Sequence, residues 1–441
     1  MQQSNASTAN NETVVPDLPQ PSEATSLIVP WAIALGSFVL MGTGLVCENY
    51  NFTHHWSSNI FVHLANSFLH GQVYLLENAP KWHDLSKVNG HTYAYWPPLL
   101  AFIYMPFVAM FNVKFGDRWI TIALAALNAI PAWLIASRLS ERFHFRSSKR
   151  FLAIATVFFV LGTSNLVLSY VGLHYYATEI ASSLFYMTAL ALLLKKEKSY
   201  NVFAAASACL ALSTLGRAHL ILSFPLFLLF AFDDGEKFVL RFTRQVWNRI
   251  SILCAATAAA VSFSAWYNWA RFGNIFDNGI KYHEMASRFR SDFEKYGYLS
   301  FHYVRRNFYY EVLRTPFSEQ LHMRDIGPFT TKWEGYSVFY QSPLLLYSFV
   351  ALRELAKKGH RLFVSSAWLT TIVTSLLILT VMGTGWVQFG ARYMFDVVPL
   401  LFVLSIIGCR GKLSPLFIVA TVASIAVNVS GLWMYCHELP Y

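Results

Sequence analysis

Apolar residues along this chain fall into long unbroken runs, without the two-residue alternation of a half-buried strand or the narrow stripe of a soluble amphipathic helix. Eleven runs stand out: Leu27–Val46, Trp119–Ala136, Phe151–Leu173, Ile180–Leu194, Tyr200–Leu215, His219–Phe232, Ile250–Trp266, Ser337–Leu352, Leu362–Met382, Tyr393–Cys409 and Leu413–Tyr435. A bilayer core about 30 Å thick takes roughly 20 apolar residues of helix, and inside it a helix satisfies its own backbone polar groups. The pattern therefore predicts an all-α polytopic membrane protein with about 11 transmembrane helices. One further apolar stretch, Trp96–Phe111, opens with Trp96-Pro97-Pro98 and is short. It is expected to lie on the outer face as a juxtamembrane or re-entrant helix.

The polar gaps between runs divide into two kinds. Five short connections, Arg138–Arg150, Lys195–Lys198, Asp233–Arg249, Arg353–Arg361 and Arg410–Lys412, hold 18 of the 34 Lys and Arg. Basic short loops stay in the cytoplasm, so all five belong on that side. They fall on one side only if Trp96–Phe111 does not cross. The N-terminus is then cytoplasmic, and the two long connections, 47–118 and 268–336, are extracytoplasmic. Function is expected in those connections, which are dense in Tyr, Phe, Trp, His and Arg. Residues 27–435 form a single transmembrane domain, with a disordered cytoplasmic tail over 1–26 and an extracytoplasmic tail over 436–441.

Composition agrees with this reading: of 441 residues, 55% are hydrophobic and 13% charged, and the net charge is +10. In a membrane protein such a surplus reflects loop topology, and no nucleic acid is expected as a partner. The five cysteines, at 47, 209, 254, 409 and 436, show no CxxC and no zinc-type spacing.

Several motifs carry a resemblance. Ser58-Asn-Ile-Phe-Val-His-Leu-Ala-Asn-Ser-Phe-Leu-His-Gly71 is followed by Asp84-Leu85, Asn89-Gly90-His91-Thr92-Tyr93 and Trp96-Pro97-Pro98-Leu99. Further along come Leu161-Gly-Thr-Ser164, Trp266-Tyr-Asn-Trp-Ala-Arg-Phe-Gly273, Gln341-Ser-Pro-Leu-Leu345 and Gln388-Phe-Gly-Ala-Arg-Tyr393 with Asp396 and Pro399. In order and spacing, from Val46 to Leu401, these resemble the GT-C superfamily of membrane glycosyltransferases, in its bacterial protein-mannosyltransferase-like or RgtA-like branch. The resemblance implies a GT-C-like fold and an enzyme that moves a sugar from a polyprenyl-phosphate-linked donor to an extracytoplasmic saccharide, lipid or protein acceptor, among membrane lipids. One departure stands out: where the superfamily usually places an Asp, at the start of the juxtamembrane helix, this chain has Asn59.

Transfer from a phospholipid needs a carboxylate to take the acceptor's proton and cations to stabilise the leaving phosphate. Candidate bases are Glu48, at the end of the first span, Asp84, in the first long loop, and Glu179, where the resemblance implies a second acidic residue. Each also has a plain reading, as an interfacial helix end, a turn residue or a helix N-terminal carboxylate. For the phosphate and sugar, Arg392, Arg217 and Arg271 are candidates, with His63, His174 and Tyr393 beside them, because an intramembrane charge is expensive unless paired or bound to an anion. Snorkelling is the rival account for the arginines. No metal site is assigned; if a divalent metal ion assists, Glu48 or His63 is where it would sit. The alternative to an enzyme is a non-catalytic membrane transporter or lipid-binding protein of the same architecture.

Overall fold

The computed structural model describes residues 27–53, 59–76, 85–235, 237–285, 287–315, 335–385 and 388–438. Every one of the eleven apolar runs is helical. In chain order the main helices are α1 (Ile28–Cys47), α2 (Ile60–Leu69), α3 (Leu99–Phe111), α4 (Asp117–Leu127), α5 (Ala129–Arg142), α6 (Lys149–Leu161) and α7 (Ser164–Val171). They continue with α8 (His174–Leu193), α9 (Tyr200–Gly216), α10 (Arg244–Phe272), α11 (Ser287–Tyr296), α12 (Lys358–Leu379), α13 (Val398–Cys409) and α14 (Pro415–Glu438). Among the described residues, six helices are long and apolar enough to cross a membrane, α4 and α5 counting as one. A seventh crossing is the pair α6 and α7, bent by 44°. The other four of the eleven runs form shorter or interrupted helices, among them α9 at 17 residues. The length criterion thus supports six or seven single spans where the apolar pattern alone predicts about 11. The Trp96–Phe111 stretch forms α3, a helix of 13 residues that packs on α2, and is too short to cross alone.

Burial sorts the helices as a lipid solvent requires. All twelve residues of α13 are buried, and most of α8 is. The peripheral α1, α10 and α14 expose Leu35, Leu40, Val261, Trp269, Val419 and Val422, apolar side chains that suit lipid and not water. Polar side chains inside the bundle hold helices to each other. Ser164 Oγ donates to Gln341 Oε1 at 2.9 Å, Gln341 Nε2 donates to Asn428 Oδ1 at 2.9 Å, and Ser342 Oγ donates to the Gly162 carbonyl at 2.9 Å. Two of the sequence motifs, around Ser164 and around Gln341, therefore meet in one contact.

The ends of the bundle differ in kind. At one end all five basic loops meet. Arg142 binds Asp233 with both Nη atoms, at 2.8 and 3.1 Å, and Lys198 reaches the same carboxylate at 2.8 Å. Arg249 donates to the Asp233 carbonyl at 3.0 Å. The His360 ring lies 4.3 Å from Phe143 and 2.7 Å from Glu354, which also takes Arg410 at 2.6 Å. Burial favours the neutral form of Lys198 and draws its ammonium down from its ordinary pKa, against the pull of Asp233.

The two long connections meet at the opposite end. Asn89 and Gly90, with φ of 51° and 80°, make a two-residue turn between β1 (Ser86–Val88) and β2 (His91–Tyr93). This hairpin docks on the second connection: Ser86 pairs with His283, Ser86 Oγ donates to the Gly279 carbonyl at 2.8 Å, and Lys87 pairs with Glu284 at 2.8 Å. Sorting of the loops into a basic end and a long-loop end is what the charge pattern predicts.

Candidate functional site

The long-loop end carries a buried group of ions drawn from three parts of the chain. Glu179 sits in the second turn of α8 and is fully buried. Arg217 follows Gly216, the last residue of α9, where the chain leaves the helix with φ −133° and ψ 89°. A Cβ at Gly216 would collide with Ser182 Oγ on α8, so glycine lets the end of α9 close on α8 and brings Arg217 to Glu179. Arg392 caps and Asp396 ends the single 3-10 turn Tyr393–Asp396 that precedes α13, which brings both to the same end of the bundle.

The two arginines are held differently. Arg217 grips Asp396 through Nε, at 2.9 and 3.2 Å, and through Nη2 at 2.5 Å, a bidentate pair completed by His219 Nε2 at 2.8 Å from the same carboxylate. Glu179 is approached by Arg217 Nη1 and by Arg392 Nε, each at 3.6 Å, beyond hydrogen-bonding distance. Neither Glu179 oxygen has a hydrogen-bond partner, and neither has Arg392 Nε. The Arg392 guanidinium lies over three tyrosine rings, at 4.2 Å from Tyr175, 4.7 Å from Tyr393 and 5.2 Å from Tyr176. Arg217 is thus neutralised by a strong pair. Arg392 and Glu179 are buried charges whose geometry is incomplete, and a buried polar group without a hydrogen bond is costly. An anion with several oxygens would complete Arg392, and a proton would complete Glu179. Two guanidiniums stand against two carboxylates in this group. Among the described residues, no group of three or more His, Cys, Asp or Glu is arranged to hold a metal ion.

Of the residues the sequence singles out, Glu179, Arg217, Arg392 and Tyr393 come together here. His174 joins them through Tyr175, its ring 4.6 Å from that tyrosine. Glu48 lies in a different group: Oε1 accepts from Tyr170 Oη at 2.7 Å and Oε2 from Arg118 Nη1 at 2.9 Å. That pairing ties the end of α1 to α7 and α4. Arg271 is 5% exposed and belongs to the loop architecture, donating to the Ala94 carbonyl at 2.5 Å and to Asn268 Oδ1 at 2.8 Å. His63 is buried within α2. Asp84 lies outside the described residues.

Two features have no counterpart among the sequence candidates. Asp396 and His219 complete the ion group; an acid four residues after an arginine at a span's start is the signal that points to Asp396. Asp117 is also buried, at 4% exposed, accepting from Asn59 Nδ2 at 2.8 Å and Tyr50 Oη at 3.0 Å. Asn59, whose Oδ1 caps α2 by accepting from the Phe61 N–H, therefore faces a carboxylate. Burial and Asp117 together push the Tyr50 hydroxyl well above its ordinary pKa.

Fold and burial define the class: a polytopic helical membrane protein with a buried ion group below two interlocked loops. No protein family and no curated protein matches the chain by sequence. Its chain path is similar to those of solved ArnT and AglB structures. ArnT from Cupriavidus metallidurans in the apo state has a TM-score of 0.44 and 14% identity over 91% of this chain and 62% of ArnT. The same protein bound to undecaprenyl phosphate gives a TM-score of 0.42 and 13% identity over 93% of this chain and 64% of ArnT. The archaeal oligosaccharyltransferase AglB from Archaeoglobus fulgidus, in complex with an inhibitory peptide and a dolichol-phosphate, gives a TM-score of 0.45 and 14% identity over 93% of this chain and 55% of AglB. The chain spans less than two thirds of the length of each.

Proposed function

We propose that this chain is a glycosyltransferase of the cell (inner) membrane, taking a sugar from a polyprenyl-phosphate carrier and passing it to an acceptor at the extracytoplasmic face. The observation that carries the reading is the unequal treatment of the two arginines at the long-loop end. Arg217 is spent on Asp396, whereas Arg392 is buried with an incomplete shell, as an anion-binding guanidinium would be before its ligand arrives. Arg392 then takes the donor's phosphate, and Arg217 holds Asp396 and His219 in place. Glu179, without hydrogen bonds and 3.6 Å from Arg392, is the carboxylate that would take the acceptor's proton. By the basic-loop rule the N-terminus is cytoplasmic and the site extracytoplasmic.

A second reading, a non-catalytic lipid-binding protein, is favoured by one observation: Asn59 stands where the resembling superfamily has an acid, and Glu48 is committed to Arg118 and Tyr170. Purified protein supplied with a panel of polyprenyl-phosphate sugars separates the two. Transfer by wild type, lost in Glu179→Gln and retained in Glu48→Gln, is expected; tight binding of the carriers with no transfer from any of them would favour the second reading.

A further inference from the structure

From Arg392 a continuous series of rings leads out between the two long loops. Its guanidinium lies 4.2 Å from the Tyr175 ring, which is 4.6 Å from His174. His174 is 4.9 Å from Trp96, Trp96 stacks on Tyr95 at 4.1 Å and 26°, and Tyr95 is 4.8 Å from His283 of the second connection. Three separate stretches of chain supply these rings, and each ring is half-buried. That exposure sets them apart from the packed aromatics of the core, such as Tyr104 and Phe61, which are fully buried. It also sets them apart from the lipid-facing tryptophans Trp266 and Trp269, which are 50% and 57% exposed on α10 and fit an interfacial belt.

We infer that this ladder, with Trp96 and His174 at its centre, is a platform for the uncharged pyranose of the donor. The inference rests on the proposed phosphate role of Arg392. In a sugar phosphate the ring is one oxygen away from phosphorus, so a phosphate held by Arg392 leaves the sugar over the rings that adjoin it. The C–H face of a pyranose packs on an aromatic π-face, whose partial negative charge matches it. The ladder's own rings carry no carboxylate and no ammonium, which suits a neutral sugar.

The test compares binding of a bare polyprenyl phosphate with that of polyprenyl-phosphate mannose, glucose and galactose to the full-length protein in detergent. Wild type should bind at least one sugar-bearing lipid about tenfold more tightly than the bare carrier. Trp96→Ala should lose that advantage, Trp96→Phe should keep part of it, and both should bind the bare carrier as wild type does, which controls for folding. An undiminished sugar advantage in Trp96→Ala would overturn the platform. So would a wild type that binds the bare carrier but prefers none of the three sugars. Failure to bind the bare carrier at all would instead remove the proposed function, and the platform with it.

Discussion

Arg217 and Arg392 have the same side chain at the same end of the bundle, but their partners give them different tasks. Removing Arg217 leaves the buried Asp396 carboxylate with His219 as its remaining partner; loss of one member of a buried pair costs about 3–5 kcal/mol. Arg217→Ala should therefore unfold at clearly lower temperature than wild type in detergent, measured by thermal denaturation. Removing Arg392 takes away a guanidinium that lies over three tyrosine rings and approaches Glu179 at 3.6 Å, but leaves no hydrogen-bonded carboxylate behind. Arg392→Ala should keep most of the stability and weaken polyprenyl-phosphate binding by about tenfold or more, as for loss of a charged hydrogen bond. Arg392→Lys should recover only part of that binding, since an ammonium lacks the planar fork. An equal loss of stability in both alanine variants would erase the distinction. Both arginines are legible in the sequence as expensive intramembrane charges. Their division of labour is not, because Asp396 lies 179 residues from Arg217 and no local periodicity reports such a contact.

At the scale of elements, charge fastens loops to each other at both ends. Glu354 shows the principle at the basic end. Burial alone would raise its carboxyl, but hydrogen bonds from His360 and Lys357 and the charges of Lys357 and Arg410 outweigh burial and hold it below its ordinary range. A carboxyl depressed in the folded state contributes stability that is complete above its unfolded pKa and is lost as pH falls through the folded value. The protein should thus lose stability on acidification below the ordinary carboxylate range, and Glu354→Gln should flatten that part of the profile, read from denaturation midpoints against pH. At the other end the β1–β2 hairpin has a local signal in Asn89-Gly90, which favours the two positive φ angles of its turn. That the hairpin then pairs Ser86 with His283 is decided by docking, since two strands of three residues are too short to be stable alone.

The whole molecule rests on sidedness. Lys87 and Glu284 come from different long connections and form an exposed pair at 2.8 Å, whereas Arg146 belongs to the basic end. In a cysteine-free background, Lys87→Cys and Glu284→Cys should react with an impermeant maleimide added from one side of the membrane, and Arg146→Cys only from the other. Labelling of Lys87→Cys and Glu284→Cys from opposite sides would remove the basis for a shared site. The sequence by itself determined the solvent of this protein, its helical class and the segregation of its loops, because hydrophobic run length and loop charge act locally and need no knowledge of partners. Tertiary structure alone decided which helices are central and which runs are broken or too short to cross singly. It also decided that Glu179, Arg217, Arg392 and Asp396 share one buried volume, because those outcomes depend on side-chain packing between segments far apart in the chain.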